Sequence, residues 1–469
     1  MTDPLRALLA EHAAARGRRV VTAAHPAAGA AGIEMYARGG NAFDAALAAC
    51  FVETVALPMK CGLAGDVVAL ARRAGGDWRA LASIGAGPAA LAAGATLERL
   101  GPRSVGVPGA PDGYAALHAA ATLPLEALTA PAVRLARDGI AWTRVAVGYV
   151  EESRALLEQH NPGGCVYLPD GRVPTVGELR YAEGLARLLE RYAALGSALF
   201  DEEEGERVAA AVRSRGGFLS CEDLRARPAR WLAPARVDLG GRTMIATPRP
   251  THGPALLDAV RRAVVAGVAP LEAALQARAA QRAAGRAALD EGTSVVTAAD
   301  DAGNAVVVVH SNSFPRFGSG VVLEDGLVLS NRPGRGFDLA APPGAANAPA
   351  AGRVPFTTLH AWALPGGDVS FAGATPGGVN QMPWNLQTVL RVMAGEAPGD
   401  VVTAPRWALD EQDRLSLEGD AAVPAGVREY ATLEPMSLRS VAQVLRLGEG
   451  GLPEAAADPR TGAVAYGLP

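Results

Sequence analysis

The feature that most constrains this sequence is an abrupt change of pattern at Gly292. Residues 269–290 are rich in alanine and arginine and keep the apolar spacing of a helix, whereas residues 294–299 and 305–310 are two short β runs. The segment between the runs, residues 300–304, contains aspartates, a glycine and an asparagine, which is typical of a hairpin turn. The sequence therefore predicts a helix followed almost immediately by an antiparallel hairpin.

Helices and strands are predicted on both sides of this junction. Helical spacing of apolar residues predicts helices over residues 4–16, 27–38, 41–55, 112–121, 125–138, 146–158, 177–195, 203–214, 253–267 and 383–395. Further strands are predicted over residues 20–24, 67–71, 78–83, 242–246, 327–330, 357–363 and 368–373. The mixture indicates an α/β (α+β) fold without internal repeats.

Composition narrows the class of protein. The chain has 469 residues, of which 49% are hydrophobic, with a net charge of −4, so it has the composition of an ordinary globular protein. The charge gives no reason to expect nucleic-acid binding, and no uninterrupted apolar run of membrane-spanning length occurs. The amino-terminal residues lack the pattern of a secretory signal, so we expect a cytoplasmic location.

The cysteines give no sign of a metal or redox site. Four are present, widely spaced and without a CxxC pair, at positions Cys50, Cys61, Cys165 and Cys221. A zinc site or a disulfide framework is therefore not expected. No cofactor and no metal are predicted.

Thr293, at the head of the predicted hairpin, is the candidate nucleophile. A threonine there can attack the peptide bond that precedes it, and cleavage frees an α-amine that serves as base for the same side chain. The small Gly292 would allow the tight turn that such an attack needs. The dipeptide alone is weak support, because a Gly-Thr pair before a strand usually marks only the start of the strand.

Longer stretches carry a resemblance to a known family. They are residues 20–66, 104–140 and 222–257 before the junction, and 293–304, 317–320, 329–331 and 376–378 after it. In this order they resemble γ-glutamyltransferases over nearly the whole chain. The resemblance implies a four-layer αββα sandwich of the N-terminal-nucleophile hydrolase type. It also implies cleavage into segments 1–292 and 293–469, which stay together as one globular domain.

The resemblance also implies roles for individual residues. Thr293 matches the nucleophile, and Ser311 falls where the family has a threonine that hydrogen-bonds the nucleophile's amine. Gly377 and Gly378 match the paired glycines of the oxyanion hole, whose backbone N–H groups stabilise developing negative charge.

Other matched positions imply contacts with substrate. These candidates are Asn331, Thr357 and Thr358, to which we add Ser313. The plainer alternatives stay open: the serine hydroxyls satisfy local backbone groups, and the glycines form only a turn.

Four further side chains are expected to be structural. His310 and His360 are tempting bases that the mechanism does not need. Asp44 and Asp66 are interpreted as cap or turn carboxylates.

The sequence departs from the family in its charge anchors. γ-Glutamyl-specific members carry an arginine in the region that here spans residues 81–88, which has none. They also carry paired acidic residues two to three positions after the asparagine, whereas the run 331–337 of this chain has no acidic residue and contains Arg332 and Arg335. Guanidinium groups attract a carboxylate and repel an ammonium. We therefore predict a small, acidic substrate, as in the hydrolase-like branch of the family.

Three other functions stay open. The first is a true γ-glutamyltransferase or glutathione hydrolase. The second is a C–C bond hydrolase of the kind that occurs in alkylproline antibiotic pathways. The third is a non-catalytic family remnant that does not cleave itself.

Overall fold

The computed structural model of the protein describes residues 3–283, 292–366, 369–424, 427–448 and 451–469. Its α-helices are α1 (Asp3–His12), α2 (Pro26–Ala37), α3 (Ala42–Ala56), α4 (Ala110–His118), α5 (Leu125–Asp138), α6 (Arg144–Glu152), α7 (Arg154–His160), α8 (Glu183–Leu195), α9 (Glu203–Ser214), α10 (Cys221–Leu224), α11 (Gly253–Val264), α12 (Pro270–Ala283), α13 (Arg332–Gly336), α14 (Gln381–Met393) and α15 (Pro398–Thr403). Its strands are β1 (Ala14–Arg16), β2 (Arg19–Ala23), β3 (Asp66–Arg72), β4 (Arg79–Ser83), β5 (Ile140–Ala141), β6 (Leu179–Arg180), β7 (Arg230–Leu232), β8 (Ala235–Asp238), β9 (Thr243–Ala246), β10 (Thr293–Asp300), β11 (Ala305–Ser311), β12 (Trp362–Leu364), β13 (Val369–Ala374), β14 (Trp407–Leu409), β15 (Leu415–Glu418), β16 (Ala431–Leu433), β17 (Gln443–Gly448), β18 (Glu454–Ala457) and β19 (Val464–Leu468).

Two seven-stranded antiparallel sheets form the centre of the fold. Sheet A has the order β1-β18-β17-β13-β12-β9-β8, and sheet B has the order β19-β2-β10-β11-β3-β4-β7. Each sheet combines strands from before and after Gly292: β10 pairs with β2 in sheet B, and β12 pairs with β9 in sheet A. The two halves of the chain are therefore held together by hydrogen bonds in both sheets.

The layers follow from where the apolar side chains point. Buried aliphatic residues of both sheets meet in one core between them, among them Val20, Val68 and Val307 of sheet B and Ile245, Ala363 and Leu445 of sheet A. A second core joins sheet B to α2, α3, α4, α5 and α8, and a third joins sheet A to α11, α12, α14 and α15. Helix, sheet, sheet and helix succeed one another, which confirms the predicted four-layer αββα sandwich.

Helix α3 shows how the sequence builds the helical layer. The Asn41 side chain caps the helix by accepting from the backbone N–H groups of Phe43 and Asp44, and Asp44 accepts from Asn41 in return. Asp44 also accepts from the backbone of Thr122 and Leu123. This confirms the predicted N-cap and the cap interpretation of Asp44, and it ties α3 to the end of α4.

Several predicted elements differ from the structure: the strand predicted over 357–363 is observed only as β12, and the helix predicted over 146–158 is divided into α6 and α7. In two further elements, distant pairing decides the difference. The helix predicted over 4–16 ends at His12, since residues 14–16 form β1 and pair with β18. The helix predicted over 177–195 begins at Glu183, since residues 179–180 pair with β5. The strand predicted over 327–330 is only an isolated bridge between Val322 and Val328.

The helix predicted over 269–290 is observed as α12, and residues 284–290 lie outside the described residues. Within the described parts of the chain, none of the helices has both the length and the apolar character required to cross a bilayer.

Candidate active site

Three predicted or suspected polar residues lie side by side across sheet B. Thr293 is the cross-strand partner of Ser311, and Ser311 is in turn the partner of Asp66 on β3. Residues two positions away on these strands, including Val295 and Val309, belong to the core between the sheets. Because side chains alternate along a strand, the row of Thr293, Ser311 and Asp66 points into the end of the space between the sheets.

Hydrogen bonds connect this row to the Gly292 carbonyl. The Ser311 hydroxyl donates to the carbonyl oxygen of Gly292 at 2.7 Å and accepts from the backbone N–H of Ser313 at 2.9 Å. Thr293 Oγ1 lies 3.1 Å from Ser311 Oγ. Since the single Ser311 proton goes to Gly292, Thr293 is the donor in this contact.

The backbone beside the junction is tightly constrained. A Cβ atom on Gly292 would lie 1.9 Å from the carbonyl oxygen of Ser313, so a larger residue does not fit without movement. Ser313 has a φ of 74°, a left-handed conformation that is uncommon for a residue with a side chain. Its hydroxyl is buried and has no hydrogen-bond partner among the residues described. Strained conformations and unsatisfied groups are concentrated at functional sites in proteins.

The Gly377–Gly378 turn lies at the same end of the stacked sheets as Thr293. It follows β13, whose last residue, Ala374, pairs with Gln443 on β17. The Gln443 side chain crosses to sheet B and donates to the carbonyl oxygen of Val295 at 2.7 Å. Gly377 has a φ of 134°, and a Cβ atom there would lie 2.3 Å from the Trp384 ring, so the turn requires glycine.

The Thr357–Thr358 pair reaches the same end from the other side of β13. It precedes β12, which runs antiparallel to β13 and pairs Trp362 with Gly373. The Thr358 hydroxyl accepts from the Gln381 side chain at 3.2 Å, at the start of α14. Thr357 uses its hydroxyl locally, accepting from the backbone N–H of Leu359.

Asn331 holds two loops through its amide nitrogen. Its Nδ2 donates to the carbonyl oxygens of Arg99 and Phe314, while its Oδ1 is buried without a partner among the described residues. The structure thus gives Asn331 a loop-fixing contact and leaves its carbonyl oxygen available.

The two arginines of the same segment differ in environment. Arg332 Nε donates to Asp66 Oδ2 at 2.6 Å, and the two side chains are 3% and 1% exposed. The Arg335 guanidinium lies over the Phe314 ring, 4.8 Å from its centroid. Asp66 also accepts from the backbone N–H of Gly85 at 2.7 Å.

His310, next to Ser311, points to the opposite face of sheet B. Its ring nitrogens are both bonded, to the Tyr114 hydroxyl at 2.7 Å and to Glu53 Oε2 at 2.8 Å. The other Glu53 oxygen accepts from the backbone N–H of Ala24 at 2.7 Å. This buried group is fully hydrogen-bonded, as expected for a structural histidine.

Among the described residues, one group has ligand atoms close enough to hold a metal ion. It consists of Glu53, Cys61 and His310, whose ligand atoms lie within 4.8 Å of one another. Burial raises the pKa of the Cys61 thiol well above its usual range, and the nearby Glu53 raises it further. A metal requires the thiolate, and the Glu53–His310 hydrogen bond already occupies both side chains. The donor set therefore fits a hydrogen-bonded cluster better than a metal site.

His360 is also fully buried and structural. Its Nδ1 donates to the carbonyl oxygen of Thr358 at 2.7 Å, and its Nε2 accepts from the Asn385 side chain at 2.9 Å. Burial lowers the pKa of His360 to about 4, so the ring is neutral at pH 7.

Sequence reasoning missed the part that Asp66 plays and did not consider Asn312. Asp66 was interpreted as a turn carboxylate, but it is the third member of the row and the partner of Arg332. Asn312 donates to the carbonyl oxygen of Pro58, and its buried Oδ1 has no partner within the parts of the chain that the structure describes. The position of Asp66 between a glycine-rich turn and a buried strand was a sign that this residue could belong to the site. Its partner Arg332 could not be found in this way, because it lies 266 residues away in the chain.

Comparisons with known proteins identify the family and the fold. The family model described as gamma-glutamyltranspeptidase matches residues 28–268 and 263–468. Glutathione hydrolase 3 of Arabidopsis thaliana is 30% identical over 231 residues, which cover 47% of this chain and 36% of that protein. The chain thus spans less than half the length of the curated relatives it matches first.

Two similarities extend over nearly the whole chain. The glutathione hydrolase-like YwrD proenzyme of Bacillus subtilis is 24% identical and is aligned over 96% of this chain and 98% of its own length. The crystal structure of cephalosporin acylase from Bacillus halodurans superposes with a TM-score of 0.82 at 24% identity, covering 97% of this chain and 96% of the other. The second similarity establishes that the two proteins share a fold.

Proposed function

The chain belongs to the γ-glutamyltranspeptidase family of N-terminal-nucleophile hydrolases, and from that premise we propose that it cuts itself between Gly292 and Thr293 and then hydrolyses an amide bond. The observation that carries the proposal is the chain of hydrogen bonds from Thr293 Oγ1 through Ser311 Oγ to the carbonyl oxygen of Gly292.

In the self-cleavage step, Thr293 Oγ1 attacks the carbonyl carbon of Gly292. The Thr293 hydroxyl proton passes to Ser311 Oγ while Ser311 passes its own proton to the Gly292 carbonyl oxygen, which gives a neutral tetrahedral intermediate. Collapse of the tetrahedral intermediate breaks the peptide C–N bond and transfers the proton to the Thr293 nitrogen, leaving an ester. Water then hydrolyses the ester, which produces a carboxylate on Gly292 and restores the Thr293 hydroxyl.

In turnover, the free amine of Thr293 takes the proton of its own hydroxyl while the hydroxyl attacks the substrate amide. The backbone N–H groups of Gly377 and Gly378 stabilise the negative oxygen, and an acyl-enzyme forms as the amine of the substrate leaves. Water attacks the acyl-enzyme and releases the acid.

The fragments 1–292 and 293–469 remain associated as one globular unit in this proposal. Both sheets take strands from both fragments, so their separation would break ladder hydrogen bonds and expose the core between the sheets. The natural partner is a small acidic substrate, with Arg332, which binds Asp66 of the row, and Arg335 as the positively charged groups that attract it. Asn331, Ser313, Thr357 and Thr358 are further polar contacts in this proposal.

Substituting the nucleophile tests the proposal. Thr293→Ala is expected to stay one continuous chain on a denaturing gel and to lose turnover, whereas Thr293→Ser keeps a nucleophile and is expected to split. Thr297→Ala is the matched control, because Thr297 lies on the same strand and face but bonds to Thr22 at 2.7 Å. Scission of the Thr293→Ala chain at the same bond would contradict the assigned nucleophile.

The other functions predict different products. A γ-glutamyltransferase releases the chromophore from a γ-glutamyl anilide, faster when a dipeptide acceptor is present. A C–C hydrolase acts on a carbonyl compound without releasing an amine, and a non-catalytic remnant stays uncut. Release of an amine from a small acidic amide, without acceleration by a dipeptide, supports the amidohydrolase.

A further inference from the structure

A buried ion pair lies at the end of the Thr293–Ser311–Asp66 row. Asp66 belongs to the segment before Gly292, and Arg332 belongs to the segment after it. Their side chains are almost completely buried, with 2.6 Å between Arg332 Nε and Asp66 Oδ2. Asp66 of this pair accepts from the backbone N–H of Gly85. Gly85 belongs to the stretch 81–88, which contains no arginine.

Asp66 fixes the orientation of the guanidinium. Its Oδ2 accepts from Arg332 Nε and its Oδ1 accepts from the backbone N–H of Gly85, so both carboxylate oxygens are bonded. A Cβ atom on Gly85 would lie 2.1 Å from the carbonyl oxygen of Val107, which explains why a glycine is needed for this approach. Arg332 is therefore oriented by a carboxylate that is itself fixed by the backbone of another segment.

One amino group of the guanidinium has no protein partner among the described residues. A guanidinium binds carboxylates through either of two forks, one formed by Nε and one Nη atom and the other by the two Nη atoms. Asp66 takes Nε, and Arg332 Nη2 is buried with no hydrogen-bond partner in the described part of the chain. A buried donor without a partner is unfavourable, so this edge favours a ligand that supplies an acceptor.

We infer that the Nη1–Nη2 edge of Arg332 binds the carboxylate of the substrate and that Asp66 is the residue that positions it. This inference rests on the proposed function, because it names the substrate class of the same site. Both Asp66 oxygens are already bonded, so the pair presents a carboxylate-binding edge without demanding an ammonium group on the substrate.

The register of sheet B limits the length of that substrate. Thr293 and Asp66 are separated by two strand spacings, which places their Cα atoms about 9–11 Å apart. Because the Arg332 guanidinium binds the Asp66 carboxylate at the far end of the row, we expect a carboxylate bonded directly to the scissile carbonyl, as in oxamate, to be too short to span this spacing. The geometry favours monoamides of dicarboxylic acids with about two or three methylene groups between the two carbonyl carbons, such as succinamate and glutaramate.

The test compares kcat/KM for glutaramate, for its uncharged diamide glutaramide, and for oxamate. We expect the purified, self-cleaved enzyme to prefer glutaramate over glutaramide by at least about tenfold and to act poorly on oxamate. Arg332→Met is expected to lower the glutaramate-to-glutaramide ratio by about 10- to 100-fold, and Arg332→Lys to recover only part of it because lysine lacks the fork. Asp66→Asn is expected to lower the ratio mainly by raising KM for glutaramate, since its role is to position Arg332.

Arg180→Met is the matched control. Arg180 is another fully buried arginine with an unpartnered Nη atom, but it lies in the helical layer against Trp142. Its substitution is expected to leave the ratio unchanged, although it lowers stability. Because the readout is a ratio of two substrates, a variant that merely folds less well reduces both rates together.

Binding gives a second readout that does not depend on turnover. Glutarate is expected to raise the melting temperature of the uncut Thr293→Ala chain, and to do so less when Arg332→Met is added. Three results would each overturn the inference and leave the proposed function standing. The first is an equal glutarate shift in the two proteins. The others, in a chain that does split, are equal turnover of glutaramate and glutaramide or a preference for oxamate. A wild-type chain that never splits would overturn the proposed function and this inference with it.

Discussion

His310 and Ser311 are neighbours on β11, and their side chains enter two different environments. On the His310 face, the ring, Glu53 and Tyr114 satisfy one another in a closed group within the helical layer. On the Ser311 face, the row from Thr293 to Asp66 lies on the same strands as, or next to, buried polar atoms that have no partner in the described segments, including Ser313 Oγ and Arg332 Nη2.

The difference teaches how to separate structural from functional polar residues in this fold. Both faces are buried and rich in polar groups, so burial alone does not distinguish them. The structural face is saturated with hydrogen bonds, which stabilises the fold but leaves nothing for a substrate. The face proposed to be functional keeps donors and acceptors that have no partner among the described residues and has a residue with positive φ, which favour ligand binding at a cost in stability. Substitutions on the two faces should therefore affect different measurements.

The largest expected effect is on the stability of the closed face. His310→Leu removes a hydrogen-bond donor from buried Glu53 and an acceptor from Tyr114, and we expect the free energy of unfolding to fall by about 3–5 kcal/mol. Urea unfolding should be measured in the Thr293→Ala background, so that the chain is continuous in both proteins. A loss below about 1 kcal/mol would contradict the structural role.

The next effect is on the rate at the open face. Ser311→Ala removes the donor to the Gly292 carbonyl, and we expect self-cleavage to slow by about 10²- to 10³-fold with little change in stability. Ser83→Ala is the control, because Ser83 is also a buried serine of sheet B that donates to a backbone carbonyl, that of Gly109, at 2.6 Å. Equal cleavage rates in Ser311→Ala and the wild type would remove Ser311 from the mechanism.

A smaller effect is expected from crowding the junction. Gly292→Ala introduces a Cβ atom 1.9 Å from the carbonyl oxygen of Ser313, so the scissile carbonyl must move, and we expect cleavage to slow by about 10- to 100-fold. Gly148→Ala is the control, because a Cβ atom there meets nothing within 4 Å. Mass spectrometry over time measures the cleavage. A normal cleavage rate in Gly292→Ala would show that the tight junction is not required.

The smallest effect concerns pH. Burial lowers the pKa of His360 from 6.5 to about 4, so the unfolded chain binds this proton more readily than the folded one between these values. Stability is therefore highest at neutral pH and falls as pH decreases from about 6.5 towards 4, by about 2 kcal/mol between pH 7 and pH 5 for this group. Unfolding of the Thr293→Ala chain at both pH values, with and without His360→Gln, measures the contribution. An identical pH dependence in the two proteins would exclude it.

Local sequence patterns predicted the hairpin that carries the proposed nucleophile and missed elements set by distant partners. The turn residues 300–304 and the apolar runs beside them are short-range signals, and β10 and β11 form where they were predicted. β1 and β6 were missed because their strands form only against β18 and β5. Apolar spacing in such segments does not distinguish a helix from a strand that pairs elsewhere.

The same distinction applies to the site. Thr293 and Ser311 were predictable as neighbours because a hairpin fixes their register. The Asp66–Arg332 pair was not predictable, because two charged residues 266 positions apart carry no local sign of their contact. The sequence therefore predicted that Arg332 contributes positive charge, but it did not predict Asp66, the residue that orients the Arg332 guanidinium.

The most direct test of the account is the mass of the purified wild-type chain. We predict two fragments after incubation, one ending at Gly292 and one beginning with an unblocked Thr293, which co-purify under native conditions and separate only on denaturation. A single chain, intact across positions 292 and 293 and unchanged after prolonged incubation, would contradict the central claim that Thr293 becomes an amino-terminal nucleophile.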